Sequence, residues 1–485
     1  MSLKLYNVLT GKRENFIPQE EGIVKMYACG ITVSDNAHIG HAYQAVIFDV
    51  IRRYLEFKGY KVTYVRNYTD VDDKIIANAR KKNENPLEYA ERFIEKTNRE
   101  LDALAIQRPT IQARATDNIQ DMINFISKLI EKGHAYVADN GCVYFDVSSF
   151  KNYGSFGHRN LDDLLTGVRK DIEPGKLDDR DFALWKNAGD DEIYWESPWG
   201  KGRPGWHIEC STMSMKYLGE TLDIHGGGKD LRFPHHENEI AQSESLTGKR
   251  FSNYWLHNGL VKVNGQKMSK SLGNGILLQD LLIEYDSDVI KLALLQNNYK
   301  SDLNITEGMF ENCEKKIYLL YKVFDHIDRV GKDYVANKDS KYYKEIKEKF
   351  IEAMDNDFNT SLAISYAFNY ISQLSQMIDK KNHVQDMVDI KAALVDIYNV
   401  LELFQEDPKI VLKKIREKYL NLNGITEEKI LDLIEQRKQM KESKDYSSAD
   451  RIREMLTNNG VLIKDTREGT EWDIEISPRK IGKVN

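Results

Sequence analysis

The sequence is short of the features that mark several protein classes. Its four cysteines, Cys29, Cys142, Cys210 and Cys313, are scattered over 485 residues with no CxxC pair. That argues against a disulfide framework and for a reducing cytoplasm, with each cysteine inert or recruited singly. No window approaches membrane-spanning length, and residues 1–6 hold no apolar signal core, so a cytoplasmic chain without membrane contact is expected. The net charge of −7 does not announce a nucleic-acid binder, and any RNA site must rest on local patches. Prolines number nine, seven of them before residue 240. Repeats and low-complexity tracts are lacking. What remains is a soluble globular composition, 41% hydrophobic and 30% charged, in a chain long enough for three or four structural units.

Hydrophobic periodicity predicts how those units are arranged. Residues 23–28 form an apolar, β-prone run. Ile47, Val50, Ile51, Tyr54 and Leu55 then recur at helical spacing until Lys58-Gly59 stops the helix, and residues 61–66 alternate like a second strand. Strand, helix and strand in that order imply a parallel, right-handed βαβ unit that collects ligands at the carboxyl ends of its strands. Helical patterns run through 70–106 and 116–132, and 135–147 resembles a hairpin turning at Asp139-Asn140-Gly141. The stretch 121–204 is read as an insertion between the halves (1–120 and 205–290) of a doubly wound, Rossmann-like α/β domain. Five of the six tryptophans fall between Trp185 and Trp255, so this part is packed. The second half has a helix from 206 to 217, a strand at 221–225 and a tight hairpin over 261–266. Helices dominate from about 276, for example over 277–297 and 310–327, and are assigned to a bundle over 291–405. Asp407-Pro408 reads as a linker. Residues 408–444 carry ten Lys/Arg against six Asp/Glu within an acidic chain.

Four stretches carry chemistry. Residues 29–41, Cys-Gly-Ile-Thr-Val-Ser-Asp-Asn-Ala-His-Ile-Gly-His, form a strand-to-helix turn, where backbone N–H groups and the helix dipole favour phosphate. His38 and His41, three apart, can face one ligand. Gly40 leaves room for a flat base or ribose, and Cys29 adds a possible metal ligand at the same crevice. Residues 267–271, Lys-Met-Ser-Lys-Ser, follow a glycine turn; Lys267 and Lys270 suit a polyphosphate. Gly226, Gly227 and Gly228 read as a turn that lets a nucleoside approach, with Asp230 placed to accept from ribose hydroxyls. His235 and Glu239 share a helix face; with Cys29 and Cys210 they give an S/S/N/O set suited to zinc, while a helix-surface ion pair stays open on spacing alone. A metalloprotease reading fails, because His236-Glu237 lacks a second histidine four residues on.

The turn at 38–41 and the loop at 267–271 together resemble the HIGH and KMSKS signatures of class I aminoacyl-tRNA synthetases, without a mismatch. The resemblance sharpens to the cysteinyl-tRNA synthetase family at Cys29-Gly30, at residues 66–74 (Arg-Asn-Tyr-Thr-Asp-Val-Asp-Asp-Lys), and at 205–210, 223–228 and 234–239. It continues to residues 449–453 and 469–472, nearly the whole chain. It implies Cys29, Cys210, His235 and Glu239 as ligands of one Zn2+ that binds the substrate thiolate, so that serine is rejected without an editing site. It further implies an amino-acid pocket of Gly30, Thr69, Trp206, His207, His225 and His236. ATP, with Mg2+ on its phosphates, would meet Gly40, Gly226, Gly227, Asp230 and Lys270. His38 and His41 would donate to the α-phosphate region, and Lys267 and Lys270 to the pyrophosphate. The expected partners are L-cysteine, ATP and a cysteine-specific tRNA, met as a monomer, with 291–405 along the tRNA stem and 406–485 as an anticodon-binding domain. Ser34 and Tyr43 depart from the family pattern, which has an aromatic and an arginine there. Two rival readings are a cysteine ligase with an amino-sugar acceptor, which would lack the C-terminal module, and an inactive RNA-binding paralogue, which would have lost one of the motif residues.

Overall fold

The computed structural model describes residues 2–156, 175–189, 192–268, 272–380, 383–466 and 469–476. The chain divides into two compact units. The first, Met1–Ser287 with Leu294–Asn304 and Ile351–Ala363, is built on a five-stranded sheet. Its strands lie in the order Ser252–Asn258, Leu222–Gly228, Ile23–Thr32, Lys61–Thr69, Ile111–Arg114, and all are parallel. The central strand Ile23–Thr32 pairs on one side with the next strand in sequence and on the other with a strand from the far half of the unit. Its carboxyl end is therefore the topological switch point, where a doubly wound sheet opens a crevice for ligands.

Burial explains the strands' composition. In Leu222–Gly228 every residue is buried, as expected for a parallel strand covered on both faces. Helix Ile39–Phe57 packs its apolar face on the sheet, burying Val46, Val50, Tyr54 and Leu55, and Gly59 at φ 93° ends that turn. Across the sheet, helices Trp206–Leu218 and His235–Thr247 share a core with Tyr27, Cys29, Val65, Trp185 and Trp255. Between the halves, Ala135–Val137, Val143–Phe145, Phe182–Asn187 and Gly202–Pro204 form a four-stranded antiparallel sheet. The predicted hairpin over 135–147 is present, and so is the one near 261–266. The latter turns on Asn264 and Gly265, both at positive φ, as a two-residue hairpin requires.

Three expectations are corrected. Gly226–Gly228 are not a turn after a strand; they continue it, paired with Leu256, His257 and Asn258. A Cβ at Gly226 would lie 2.2 Å from the Phe48 ring, so helix Ile39–Phe57 presses on bare backbone there. The helix expected over 277–297 is two, Leu278–Glu284 and Ser287–Leu295; Tyr285 is extended, and Asp286-Ser287-Asp288 supplies residue types that favour a fresh helix start. Asp407-Pro408, read as a linker, is the start of a helix. Asp407 caps helix Pro408–Asn423 by accepting from the Lys409 N–H at 2.7 Å, with proline in the first turn.

The second unit, Asp288–Ala293, Ile305–Phe350 and Ile364–Asn485, is mainly helical among the described residues and includes the hairpin Val461–Thr466 with Gly469–Ile474. Buried Glu314 on helix Met309–Val330 accepts from Lys418 Nζ and Tyr419 Oη, each at 2.7 Å, and so fixes helix Pro408–Asn423 against it. Arg437 forks onto Asp465 at 2.8 and 3.0 Å, tying helix Glu427–Glu442 to the hairpin.

Candidate active site and metal centre

The switch-point crevice is a cleft of 490 Å³ lined by Gly30, His38, Gly40, His41, Trp206, Asp230 and Lys267 among others. His38 is the N-cap of helix Ile39–Phe57: its Nδ1 accepts from Gly40 N–H at 3.1 Å, while His41 Nδ1 accepts from His38 N–H at 3.3 Å. The rings stack with centroids 3.7 Å apart. With both Nδ1 atoms occupied as acceptors, each neutral ring carries its proton on Nε2 and is a donor there. Gly40 is required by this stack, since a Cβ would stand 2.9 Å from His38 Cε1. The turn is held from outside by two backbone bonds, Ile39 N–H to Ile276 O and Leu278 N–H to Ala37 O, each 3.0 Å.

Cys29 owes its placement to an irregularity. The register of the central strand shifts between Ala28 and Ile31, and such a bulge re-aims a side chain beside an active site. Gly30 makes the bulge possible: its N–H donates to Asn67 Oδ1 at 2.8 Å, and a Cβ would sit 1.6 Å from the Asn67 carbonyl oxygen. Gln44 from the first turns of the helix donates to the Cys29 carbonyl.

Around Cys29 two overlapping donor sets form, each with ligand atoms within 4.8 Å of one another: Cys29, Cys210, His235 and Glu239, and Cys29, His225, His236 and Glu239. All are buried. In the first set the sulfurs are 3.7 Å apart, Cys29 Sγ is 3.4 Å from Glu239 Oε1, and His235 Nε2 is 3.1 Å from the same oxygen. Two thiolates at ~2.3 Å from a tetrahedral ion stand about 3.8 Å apart, so the donors already have the spacing of a coordination shell. In the second set, Cys29 Sγ is 3.3 Å from His236 Nε2 and 3.6 Å from His225 Nε2. The other ring nitrogens of His235 and His236 are engaged behind the site: His207 Nδ1 meets His235 Nδ1 at 2.9 Å, and His257 Nε2 meets His236 Nδ1 at 2.8 Å. Such partners fix the tautomer that aims Nε2 inward.

The electrostatics call for a cation. Among the described residues Glu239 Oε2 makes no well-aligned hydrogen bond, although His225 Nε2 stands 3.2 Å from it, and the ion-pair partners of Glu239 there are three histidines, His225, His235 and His236. Burial raises the Glu239 carboxyl, yet His225 and His235 hold it well below the usual range. Burial opposes protonation of His235, but Glu239 and Cys210 push it up to about 10. Burial likewise raises Cys210, while contacts from Cys29 and His235 bring it down to about 6. Burial and then Cys210 push Cys29 up. His207 and His236 are driven down by burial. Protons thus sit where a divalent ion would displace them, and two sulfurs with one nitrogen and one oxygen fit a borderline-soft metal.

Comparison with known proteins accounts for the arrangement. A family model described as the tRNA synthetases class I (C) catalytic domain matches residues 15–315, and a DALR domain matches 349–405. Cysteine–tRNA ligase of Thermodesulfovibrio yellowstonii is 42% identical, over 98% of this chain and 100% of its own. That of Caldicellulosiruptor saccharolyticus is 44% identical, over 97% and 99%. The chain belongs to the cysteine–tRNA ligase family. Among solved structures, Mycobacterium tuberculosis methionyl-tRNA synthetase with methionyl-adenylate superposes at a TM-score of 0.57 and 14% identity, covering 84% of this chain and 94% of that one. At that identity the likeness shows the shared class I fold. The full-length matches leave the amino-sugar ligase without support. No helix among the described residues is long and apolar enough to cross a membrane.

The remaining family positions distribute as follows. Trp206 lines the cleft with 40% of its surface exposed, its ring 4.4 Å from that of His235, and so joins cleft and metal centre. Thr69 lies at the sheet's carboxyl edge but donates to the buried Glu209 carboxylate at 2.6 Å. Gly226 and Gly227 lie behind the cleft lining; Gly228 reaches it, with Asp230 folded against it. His207 backs His235, and His225 belongs to the second donor set. Lys270 lies outside the described residues. Tyr43, at a position of family departure, is a core residue whose hydroxyl donates to Tyr299 O at 3.1 Å. The Ser34 carbonyl accepts from Asn78 and Tyr89. Sequence reasoning missed Gln44, Asn258 and His257, whose spacing carries no signal, and marked Asn67 and Lys74 only as part of the family stretch 66–74.

Proposed function

We propose that this chain joins L-cysteine to its tRNA through an adenylate formed in the 490 Å³ cleft, and that Cys29, Cys210, His235 and Glu239 hold one zinc ion there. Bound, zinc supplies affinity for a thiolate over a neutral hydroxyl, the basis for choosing cysteine over serine. The protein's own groups do the rest by placement and charge. Stacked His38 and His41 offer Nε2–H donors beside the positive helix N-terminus, where the α-phosphate gains negative charge as the cysteine carboxylate attacks. Lys267 on the hairpin at the cleft mouth, with Lys270, receives the departing pyrophosphate and its Mg2+. Asp230 accepts from ribose hydroxyls across Gly228, and Trp206 closes the amino-acid side. No protein nucleophile is needed; orientation supplies the rate. Residues 291–405 then meet the tRNA stem and 406–485 its anticodon, with Trp472 as a stacking surface. We take the working form to be a cytoplasmic monomer.

The observation that carries this reading is a buried S/S/N/O donor set directly behind the cleft: Cys29 adjoins Gly30, which lines the cleft with His38 and His41, and the Trp206 ring of the same lining lies 4.4 Å from that of His235. Pyrophosphate exchange with cysteine, serine and methionine, before and after chelation, tests it. Cysteine should dominate, and chelation should abolish exchange until zinc is restored. Preference for serine or methionine would discard the assignment. Charging of a cysteine-specific tRNA tests the second step.

A further inference from the structure

We infer that Lys96, on helix Pro86–Ala103, is a positioning residue for adenylate formation: it clamps the two segments that hold His38. Its Nζ donates to Asn36 Oδ1 and to Gln279 Oε1, each at 2.5 Å. Asn36 lines the cleft two residues before His38, and Gln279 opens helix Leu278–Glu284. Between these contacts runs the bridge that pairs His38 with Leu277, closed by the bonds from Ile39 N–H to Ile276 O and from Leu278 N–H to Ala37 O. It is an isolated bridge, with no neighbouring ladder to keep its register. The Lys96 ammonium spans its side-chain end and bonds to a side chain of each segment.

A second observation shows that this placement is imposed. One helical turn beyond Lys96 lies Glu100, an i,i+4 neighbour within reach of a lysine, though in the less favoured Lys-to-Glu order. Glu100 is buried, 7% exposed, and neither carboxylate oxygen makes a hydrogen bond among the described residues. Lys96 has passed over a buried carboxylate on its own helix to reach two neutral amide oxygens beside the cleft. The ammonium is held where it serves the turn; burial raises the Glu100 carboxyl, and Lys96 partly offsets that rise through space.

The inference rests on the reading that His38 serves the α-phosphate region. Full-length protein with Lys96→Met, Lys96→Arg, Gln279→Met, the Lys96→Met/Gln279→Met double change and His38→Ala is assayed by cysteine-dependent pyrophosphate exchange. A misplacement of about 1 Å costs up to ~100-fold in rate. Lys96→Met should therefore lower kcat about tenfold, with KM for cysteine within about twofold and the unfolding midpoint unchanged. Lys96→Arg, which can donate to both amides, should recover most of the rate. The double variant should be no worse than its worse single parent, because both changes open one clamp. Full activity in Lys96→Met beside an impaired His38→Ala overturns this proposal alone. So does a Lys96→Met defect that arginine does not rescue, or one that adds to that of Gln279→Met. A fully active His38→Ala overturns the reading of the cleft and this inference with it.

Discussion

Gly30 and His207 show how much of the site depends on close backbone packing and on the rings behind the donors. The Gly30 Cα faces the Asn67 carbonyl so closely that any Cβ must push the two strands apart. Gly30→Ala should lower stability by about 1–3 kcal/mol or more and swing Cys29 from the donor cluster; denaturant unfolding and metal content measure the two effects. His207 offers a gentler test. It is the group against His235 Nδ1, so His207→Ala should keep the four donors and weaken metal retention by about 10–100-fold, read by competition with a chelator. Retention unchanged in that variant would mean that His235 is oriented by something else. The histidines and cysteines were legible in the sequence as residue types fit for a metal. Their grouping came from the family resemblance and not from spacing, because Cys29 and Cys210 are distant in sequence and meet only through the sheet. Nor could spacing reveal that His225 and His236 complete a second set around the same Cys29 and Glu239.

At the scale of elements, the turn at 38–41 and the hairpins could be read in advance because their signals are local: a cap, a glycine, a two-residue turn. The glycine triplet misled for an equally physical reason. A bare backbone is demanded both by a turn and by a helix packed tightly on a strand, and only the position of Phe48 distinguishes them. The bulge at Cys29-Gly30 left no mark in the periodicity. The C-terminal hairpin lends itself to a pH test. Arg437, opposing the smaller effect of burial, holds the Asp465 carboxyl well below its usual range, with Thr470 and Lys441 assisting. A carboxyl with a lowered native pKa stabilises the fold above its unfolded value, about 3.9, and loses that contribution as pH falls toward the native value. Asp465→Asn should therefore be less stable than the parent at pH 7, and the gap in denaturant midpoint should shrink below about pH 4. A gap independent of pH would assign the effect to packing.

For the whole molecule, charge is distributed against its own average. The chain is acidic, at −7, while 408–444 are basic, so tRNA binding should be salt-sensitive although cysteine binding is not. Raising salt from 50 to 200 mM should increase KM for tRNA by tenfold or more, as phosphate contacts require, and leave KM for cysteine within about twofold. Trp472, with Arg416 lying 5.6 Å over its ring, should behave likewise. Trp472→Ala is expected to raise KM for tRNA by about tenfold or more, the scale of one lost base stack, with pyrophosphate exchange unchanged. Equal loss in both assays would place Trp472 in folding instead.

The strand order has a consequence during synthesis. One flank of Ile23–Thr32 is taken by Lys61–Thr69, but the other waits for Leu222–Gly228. At about 5–20 residues per second, the ribosome needs roughly 10–40 s to deliver that partner. The nascent chain spends this interval with a raw hydrogen-bonding margin at its centre, the kind of surface on which chains stick to one another. Slower reading between codons 33 and 221 lengthens that interval and should therefore lower the yield of active enzyme.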